Sequence, residues 1–230
     1  VPKPSERKLP YGPGRPLHLP TREQIASWCR PTGAAPLVVL FSGCLSGRAC
    51  GVDGTTYGEH PAVAPLLSLP NVRVVAFCPE EVALGTPRHT PNLYGGDGFD
   101  VLAGRASVRF DDGQDVTARL MASCGELLAL ARAERVALAV LMDVSAVCGS
   151  QVVYDGPRHL KVYRRGPGLA AAMLVQAGIP VVSQRDLGTL AAIYEALGHP
   201  ELAPQGRDHH ESEWFRAYFG ASRTAGPSRA

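Results

Sequence analysis

Four short apolar runs stand out along the chain, and each stops at a residue that turns the backbone or carries chemistry. Leu37-Val38-Val39-Leu40-Phe41 ends at Ser42-Gly43-Cys44, and Val72 to Phe77 ends at Cys78-Pro79. Leu138 to Met142 ends at Asp143, and Val181-Val182 ends at Ser183. Runs this short, apolar without alternation, predict strands buried on both faces of a parallel sheet. Between them the spacing becomes helical. Thr117 to Arg132 sets Leu120, Cys124, Leu127, Leu128 and Ala131 on one face. Gly168 to Ala177 predicts a helix closed by Gly178, and Asp186 caps another that runs to Leu197. Earlier, Thr21-Arg22-Glu23-Gln24 has capping-box spacing ahead of Ile25, Trp28 and Cys29, and Glu211 to Phe219 predicts a last short helix.

Strands alternating with helices indicate an α/β fold: a mostly parallel, doubly wound (Rossmann-like) sheet with helices on both faces. The expected organisation is an extended N-terminal arm with a short helix over 1–36, an α/β domain over 37–185, and a C-terminal helical extension and tail over 186–230. Trp28, Trp214 and Phe215 need apolar surroundings, so the arm and extension are expected to cover the sheet's edge or a pocket.

Composition narrows the function classes. The chain has 230 residues, 45% hydrophobic and 19% charged, which excludes whole-chain disorder and suits one domain with peripheral elaboration. A net charge of +2 without a basic block gives no reason to expect nucleic acid. No apolar run reaches the roughly 18 residues of a membrane span, and the proline-rich start has no apolar signal core. A cytoplasmic protein without a membrane partner is expected.

The cysteines carry the chemistry. There are six: Cys29, Cys44, Cys50, Cys78, Cys124 and Cys148. A disulfide framework is not expected in a chain of this length without a secretory signal. Cys29 and Cys124 fall on apolar helix faces and read as core residues. Cys44, Cys78 and Cys148 each follow the end of a predicted strand, so residues separated by 34 and then 70 positions can meet at one sheet edge. Three soft thiolates leave two metal readings: zinc completed by water or another side chain, or an iron–sulfur cluster with one iron free of protein ligand. Structural zinc sites favour close CxxC pairs, which this chain lacks, and that favours the cluster. Plain burial of the three thiols is the remaining alternative. Cys50 reads first as a loop residue and second as a spare ligand.

At these residues the chain resembles the thiouracil desulfurase family. Cys44-Leu45-Ser46-Gly47 and Cys50-Gly51-Val52-Asp53-Gly54 stand where the family reads CLLG and CRYDG. Cys78-Pro79-Glu80 matches its CPE, and Gly85-Thr86-Pro87-Arg88 matches its TPR turn. Ser145-Ala146-Val147-Cys148-Gly149 stands for SPSCG, and Gly95-Gly96-Asp97-Gly98, Tyr154-Asp155-Gly156 and Gly178-Ile179-Pro180 complete the order. The resemblance implies a [4Fe-4S] cluster on Cys44, Cys78 and Cys148, whose open iron accepts sulfur from a thiolated nucleobase or similar small molecule while water replaces it. It implies that Glu80 and Ser145 line the site and assist catalysis. Met142, Gly51, Val52 and Ala146-Val147 replace polar family residues, so a more apolar pocket is expected. A non-catalytic iron–sulfur or zinc-binding sulfur carrier is the alternative reading.

Simpler roles stand beside these. Glu80-Glu81 reads also as a solvated pair, Ser145 as a turn cap, and Asp53 and Asp97 as turn residues. His209-His210 read as solvated side chains near the tail, and Arg164-Arg165 as surface residues.

Overall fold

The computed structural model describes residues 16, 18–28, 35–56, 58 and 60–220. Cys29, most of the expected arm and the tail after residue 220 lie outside the described residues. Four strands, β1 (Leu37–Ser42), β2 (Val72–Phe77), β5 (Leu138–Leu141) and β8 (Val181–Ser183), form one parallel sheet in the order β2-β1-β5-β8. These are the four predicted apolar runs, with ends shifted by a residue at most.

Both faces of the sheet are covered, which is why its strands show no polar alternation. Along β1, Leu37, Val39 and Phe41 face one core and Leu40 faces the other. The first core takes α1 (Arg22–Ser27) and α6 (Leu187–Ala196), through Ile25, Trp28, Leu190, Ile193 and Tyr194. The second takes α2 (Pro79–Leu84), α3 (Gly98–Leu102), α4 (Thr117–Ala133) and α5 (Leu169–Gln176). The buried stripe of α4 is Leu120, Cys124, Leu127 and Ala131, as its spacing requires. Each such leucine contributes about 1.5–3 kcal/mol of burial. The capping box on α1 is present in both directions, Thr21 Oγ1 accepting from Gln24 N–H and Gln24 Oε1 from Thr21 N–H.

Two antiparallel hairpins lie outside the predicted pattern. β3 (Asn92–Tyr94) pairs with β4 (Ser107–Arg109), and β6 (Val152–Tyr154) with β7 (Tyr163–Arg165). Strands of three residues are too short to show a period of two. A last helix, α7 (Glu213–Phe219), is capped by Ser212 Oγ. No described helix is long and apolar enough to cross a membrane.

The strand order fixes where a ligand can enter. From β1 the chain crosses outward to β2, then returns past β1 to β5 on its other side. The carboxyl ends of β1 and β5 therefore diverge into the crevice that doubly wound sheets use for binding. The loop after β5 closes that crevice with no slack. Gly168 has no room for a side chain, since a Cβ there would lie 2.6 Å from the Val147 carbonyl. Backbone thus meets backbone, and the first amides of α5, those of Leu169 and Ala170, donate to the carbonyls of Ala146 and Val147.

Candidate functional site

A cavity of 480 Å³ opens at this crevice. Four thiols line it: Cys44, Cys50, Cys78 and Cys148. Cys44 sits in a single 3-10 turn directly after β1. Cys78 is the N-cap of α2, and its Sγ accepts the Glu81 N–H at 3.4 Å. Cys148 lies in the tight turn after β5, buried at 7% exposure. The three cysteines expected to converge do so. Cys50 joins them, its Sγ within 4.8 Å of Cys78 Sγ. Cys124 lies on the core-facing side of α4, fully buried.

Burial first, then the neighbouring Cys78 and Glu80, push the Cys44 thiol up to about 12. Cys148 is pushed up by burial and then by Cys44, and Cys78 by the Cys50 hydrogen bond and then by burial. Cys50 alone moves down, chiefly because the Cys78 thiol donates to it. Several anionic sulfurs do not coexist in this space without a cation. No described histidine lines the cavity, and soft sulfur donors without imidazole are a set that an iron–sulfur cluster or zinc takes. The residues present therefore fit such a group. Cys50 Sγ, Cys78 Sγ and a Glu81 oxygen also lie within 4.8 Å of one another, a second metal-compatible grouping.

Facing the thiols is a carboxylate held at both oxygens. Glu80 Oε1 accepts the Ser145 hydroxyl at 3.1 Å, and Oε2 accepts Arg88 Nη2 at 2.9 Å and Nε at 3.3 Å. Ser145 Oγ in turn accepts the Val147 and Cys148 amides at 3.2 and 3.0 Å. Its one proton is thus committed to Glu80, so Ser145 orients the carboxylate and does more than cap its turn. Glu80 is not half of a solvated pair: its side chain is 12% exposed and Arg88 is 5% exposed. Glu81 pairs separately with Arg48 at 3.0 Å.

Arg88 was legible only as part of a motif, and its role comes from the fold. Its guanidinium also donates to the carbonyls of Cys50 (3.1 Å), Gly51 (3.3 Å) and Gly85 (3.2 Å), and Thr86 Oγ1 bonds Gly51 O at 2.7 Å. One cation therefore ties the Cys50 loop to Glu80. The planar fork suits arginine and not lysine.

The rest of the cavity has mixed walls. Val52 and Met142 do line it, but so do Arg158 and Arg185, with Tyr154, Tyr163 and Trp214. Arg158 lies over the Tyr154 ring, and Trp214 meets Tyr163 edge-on with centroids 5.1 Å apart. Asp53 is an exposed turn residue bonded to Thr55, and Asp97 caps α3. Arg164 pairs with Asp155 on the β6–β7 hairpin. None of these three lines the cavity.

Behind the Cys148 turn lies a second polar cluster, which overturns the solvated reading of His209. That residue is 4% exposed, and its Nδ1–H donates to Asp143 Oδ2. Asp143 Oδ1 accepts the Ser150 and Gln151 amides at 3.0 and 3.3 Å. Asp186 accepts Gln151 Nε2 and the His209 amide on one oxygen, and the Ser183 amide and hydroxyl on the other. Asp208 takes both the amide and the hydroxyl of Thr189. Burial and then Asp143 raise the Asp186 carboxyl to about 7. For Asp143, burial is outweighed by His209 and the amides, and its carboxyl lies below the ordinary value.

Comparison with known proteins bears on this site. The 2-thiouracil desulfurase family matches residues 39–186. The uncharacterized protein YbbK of Bacillus subtilis (strain 168) is 34% identical over 155 residues, 66% of this chain and 99% of YbbK. Among solved structures, the [4Fe-4S]-dependent thiouracil desulfidase TudS superposes with a TM-score of 0.58 at 30% identity, over 71% of this chain and 100% of TudS.

Proposed function

The chain belongs to the 2-thiouracil desulfurase family, and from that premise we propose that it is a [4Fe-4S]-dependent desulfidase acting on a thiolated nucleobase or similar thiocarbonyl small molecule. Cys44, Cys78 and Cys148 would hold the cluster, with Glu80 and Ser145 as the catalytic pair. The observation that carries this reading is the meeting of thiols from three strand ends with a carboxylate fixed at both oxygens.

The cluster, when bound, supplies a soft Lewis-acidic iron with affinity for sulfur. The net reaction needs no oxidant: thiocarbonyl and water become carbonyl and hydrogen sulfide. The protein's part is to place a water against the thiocarbonyl carbon and take its proton. Glu80 Oε1 is the acceptor for that proton, and general-base assistance of this kind contributes about 10²–10⁴ in rate. Ser145 and Arg88 keep the carboxylate from rotating toward the thiols. Tyr154, Tyr163 and Trp214 offer aromatic surface for a planar ring, and Arg158 and Arg185 favour an anionic substituent.

The test is anaerobic reconstitution with iron and sulfide counts, followed by turnover of 2-thiouracil. A cluster-loaded protein that releases sulfide, and a Glu80→Gln variant that keeps its cluster but loses turnover, support the reading. Retained turnover in that variant removes Glu80 from the mechanism. The grouping of Cys50, Cys78 and Glu81 favours a second reading, a zinc protein. Zinc without iron after anaerobic purification decides for it.

A further inference from the structure

Of the four thiols that line the cavity, Cys50 is the one the proposed cluster leaves unused. It is 1% exposed, and the backbone around it is pinned. Arg88 donates to the Cys50 and Gly51 carbonyls at 3.1 and 3.3 Å, and Thr86 Oγ1 donates to Gly51 O at 2.7 Å. Gly43 leaves the room that the sulfur needs. A Cβ there would lie 3.3 Å from Cys50 Sγ and 3.2 Å from Cys78 Cβ.

Cys50 Sγ, Cys78 Sγ and a Glu81 oxygen all lie within 4.8 Å of one another. Cys78 caps α2 and Glu81 stands three residues on, so one helix end presents a thiol and a carboxylate together. Two sulfurs on one zinc, each at about 2.3 Å, lie about 3.8 Å apart in a tetrahedron and never more than about 4.6 Å. A shift of about an ångström therefore closes this geometry. Among the described residues no other three His, Cys, Asp or Glu donors come so close, and neither Cys44 nor Cys148 joins the grouping. The charges close as well. Two thiolates and a carboxylate around a divalent ion leave one negative charge, and Arg48, paired with Glu81 at 3.0 Å, offsets it.

We propose that Cys50, Cys78 and Glu81 form a site for one thiophilic divalent cation of the zinc type, and that this site and the cluster exclude each other because both need Cys78. Water or another donor completes the coordination. The exclusion rests on the desulfidase reading, whereas the site itself does not. An ion bound here antagonises the cluster and does not stand in for it, so stripping the ion restores the capacity for iron.

The experiment is anaerobic titration of the reduced, cluster-free full chain with zinc and with cobalt(II), repeated on Cys50→Ala and Glu81→Gln. Beside it, iron and sulfide are counted after reconstitution with and without zinc. The expected result is one tight ion per chain with thiolate-to-cobalt charge-transfer absorbance, weakened about a hundredfold or more by Cys50→Ala and about tenfold by Glu81→Gln. Zinc added first should hold the iron of the unsubstituted chain near background, and a chelator should bring it back to about four per chain. Cys50→Ala should load about four irons with zinc present. Zinc binding indifferent to both substitutions overturns the site, as does tight, Cys50-dependent zinc uptake by the loaded protein without loss of iron. A Cys50→Ala chain with native circular dichroism that takes no iron makes Cys50 a cluster ligand and overturns it too. Should that variant fail to fold, unchanged zinc affinity in Glu81→Gln is the overturning result. A chain that binds zinc through Cys50 yet takes no iron after chelation fails only the desulfidase reading, and one that loads iron whatever the zinc fails only this proposal.

Discussion

Two clusters of buried polar groups flank the loop after β5, and they solve the same problem in opposite ways. The carboxylates of Asp143, Asp186 and Asp208 are met by His209 Nδ1, Gln151, hydroxyls and nearby amides, so that every carboxylate oxygen there accepts at least one hydrogen bond. The thiols of Cys44, Cys78 and Cys148 have thinner company: a backbone amide for Cys44, the Glu81 amide and Cys50 for Cys78, and the Ser42 side chain for Cys148. Carboxylates bonded at every oxygen hold a fold together, and thinly bonded thiols keep their sulfurs open to a soft metal group. The difference marks which cluster is scaffold and which is site. It also shows that the loop between them, which carries Ser145 and Cys148, is held from behind by the scaffold cluster.

The most severe way to break the comparison is to remove a thiol. Cys148→Ala is expected to lower iron after anaerobic reconstitution from about four per chain to near background while the fold survives, as metal analysis and circular dichroism would report. Next is Glu80→Gln, expected to lower turnover by about 10²–10⁴ with cluster absorbance unchanged. On the scaffold side, His209→Ala strands the Asp143 carboxylate in a buried place. About 3–5 kcal/mol of stability should be lost, measured by denaturant unfolding. An unchanged midpoint would show that His209 is not the brace described here.

The smallest effect is a pH slope. Asp186 has its carboxyl raised to about 7, against about 3.9 in an unfolded chain. Between those values the folded state binds more protons than the unfolded one, so this group makes stability fall as pH rises through the window and level off above it. Asp143 acts with the opposite sign. Its folded value is depressed, so its contribution is present above about pH 4 and is lost as pH falls below that. Asp186→Asn should flatten the slope between about pH 4 and 7 in unfolding midpoints, and a slope that persists would assign it to another group.

The same contrast explains what could be read from sequence. Continuous apolar runs announced the sheet, because strands covered on both faces carry no polar positions to blur them. The thiols Cys44, Cys78 and Cys148 were legible as a set because each follows such a run. Cys50 was not, since it arrives through a loop whose path is set by Arg88 and Thr86 bonding the carbonyls of residues 50 and 51. His209 was misread because a histidine near the end of a chain looks solvated until the partner 66 residues earlier, Asp143, is known. Arg88 had a motif but no role, because a side chain that bonds one carboxylate and three carbonyls leaves no periodic trace. The short hairpins were lost for want of length.

The backbone contact at Gly168 has a consequence in time. With the first amides of α5 donating to the Ala146 and Val147 carbonyls, and the Gly168 amide to that of Gly149, the Cys148 turn has no local opening of its own. Hydrogen exchange at Gly168, Leu169 and Ala170 should then be as slow as that of the central strands, which open only when the whole protein unfolds. The lifetime of the assembled thiol site is in that case the lifetime of the fold.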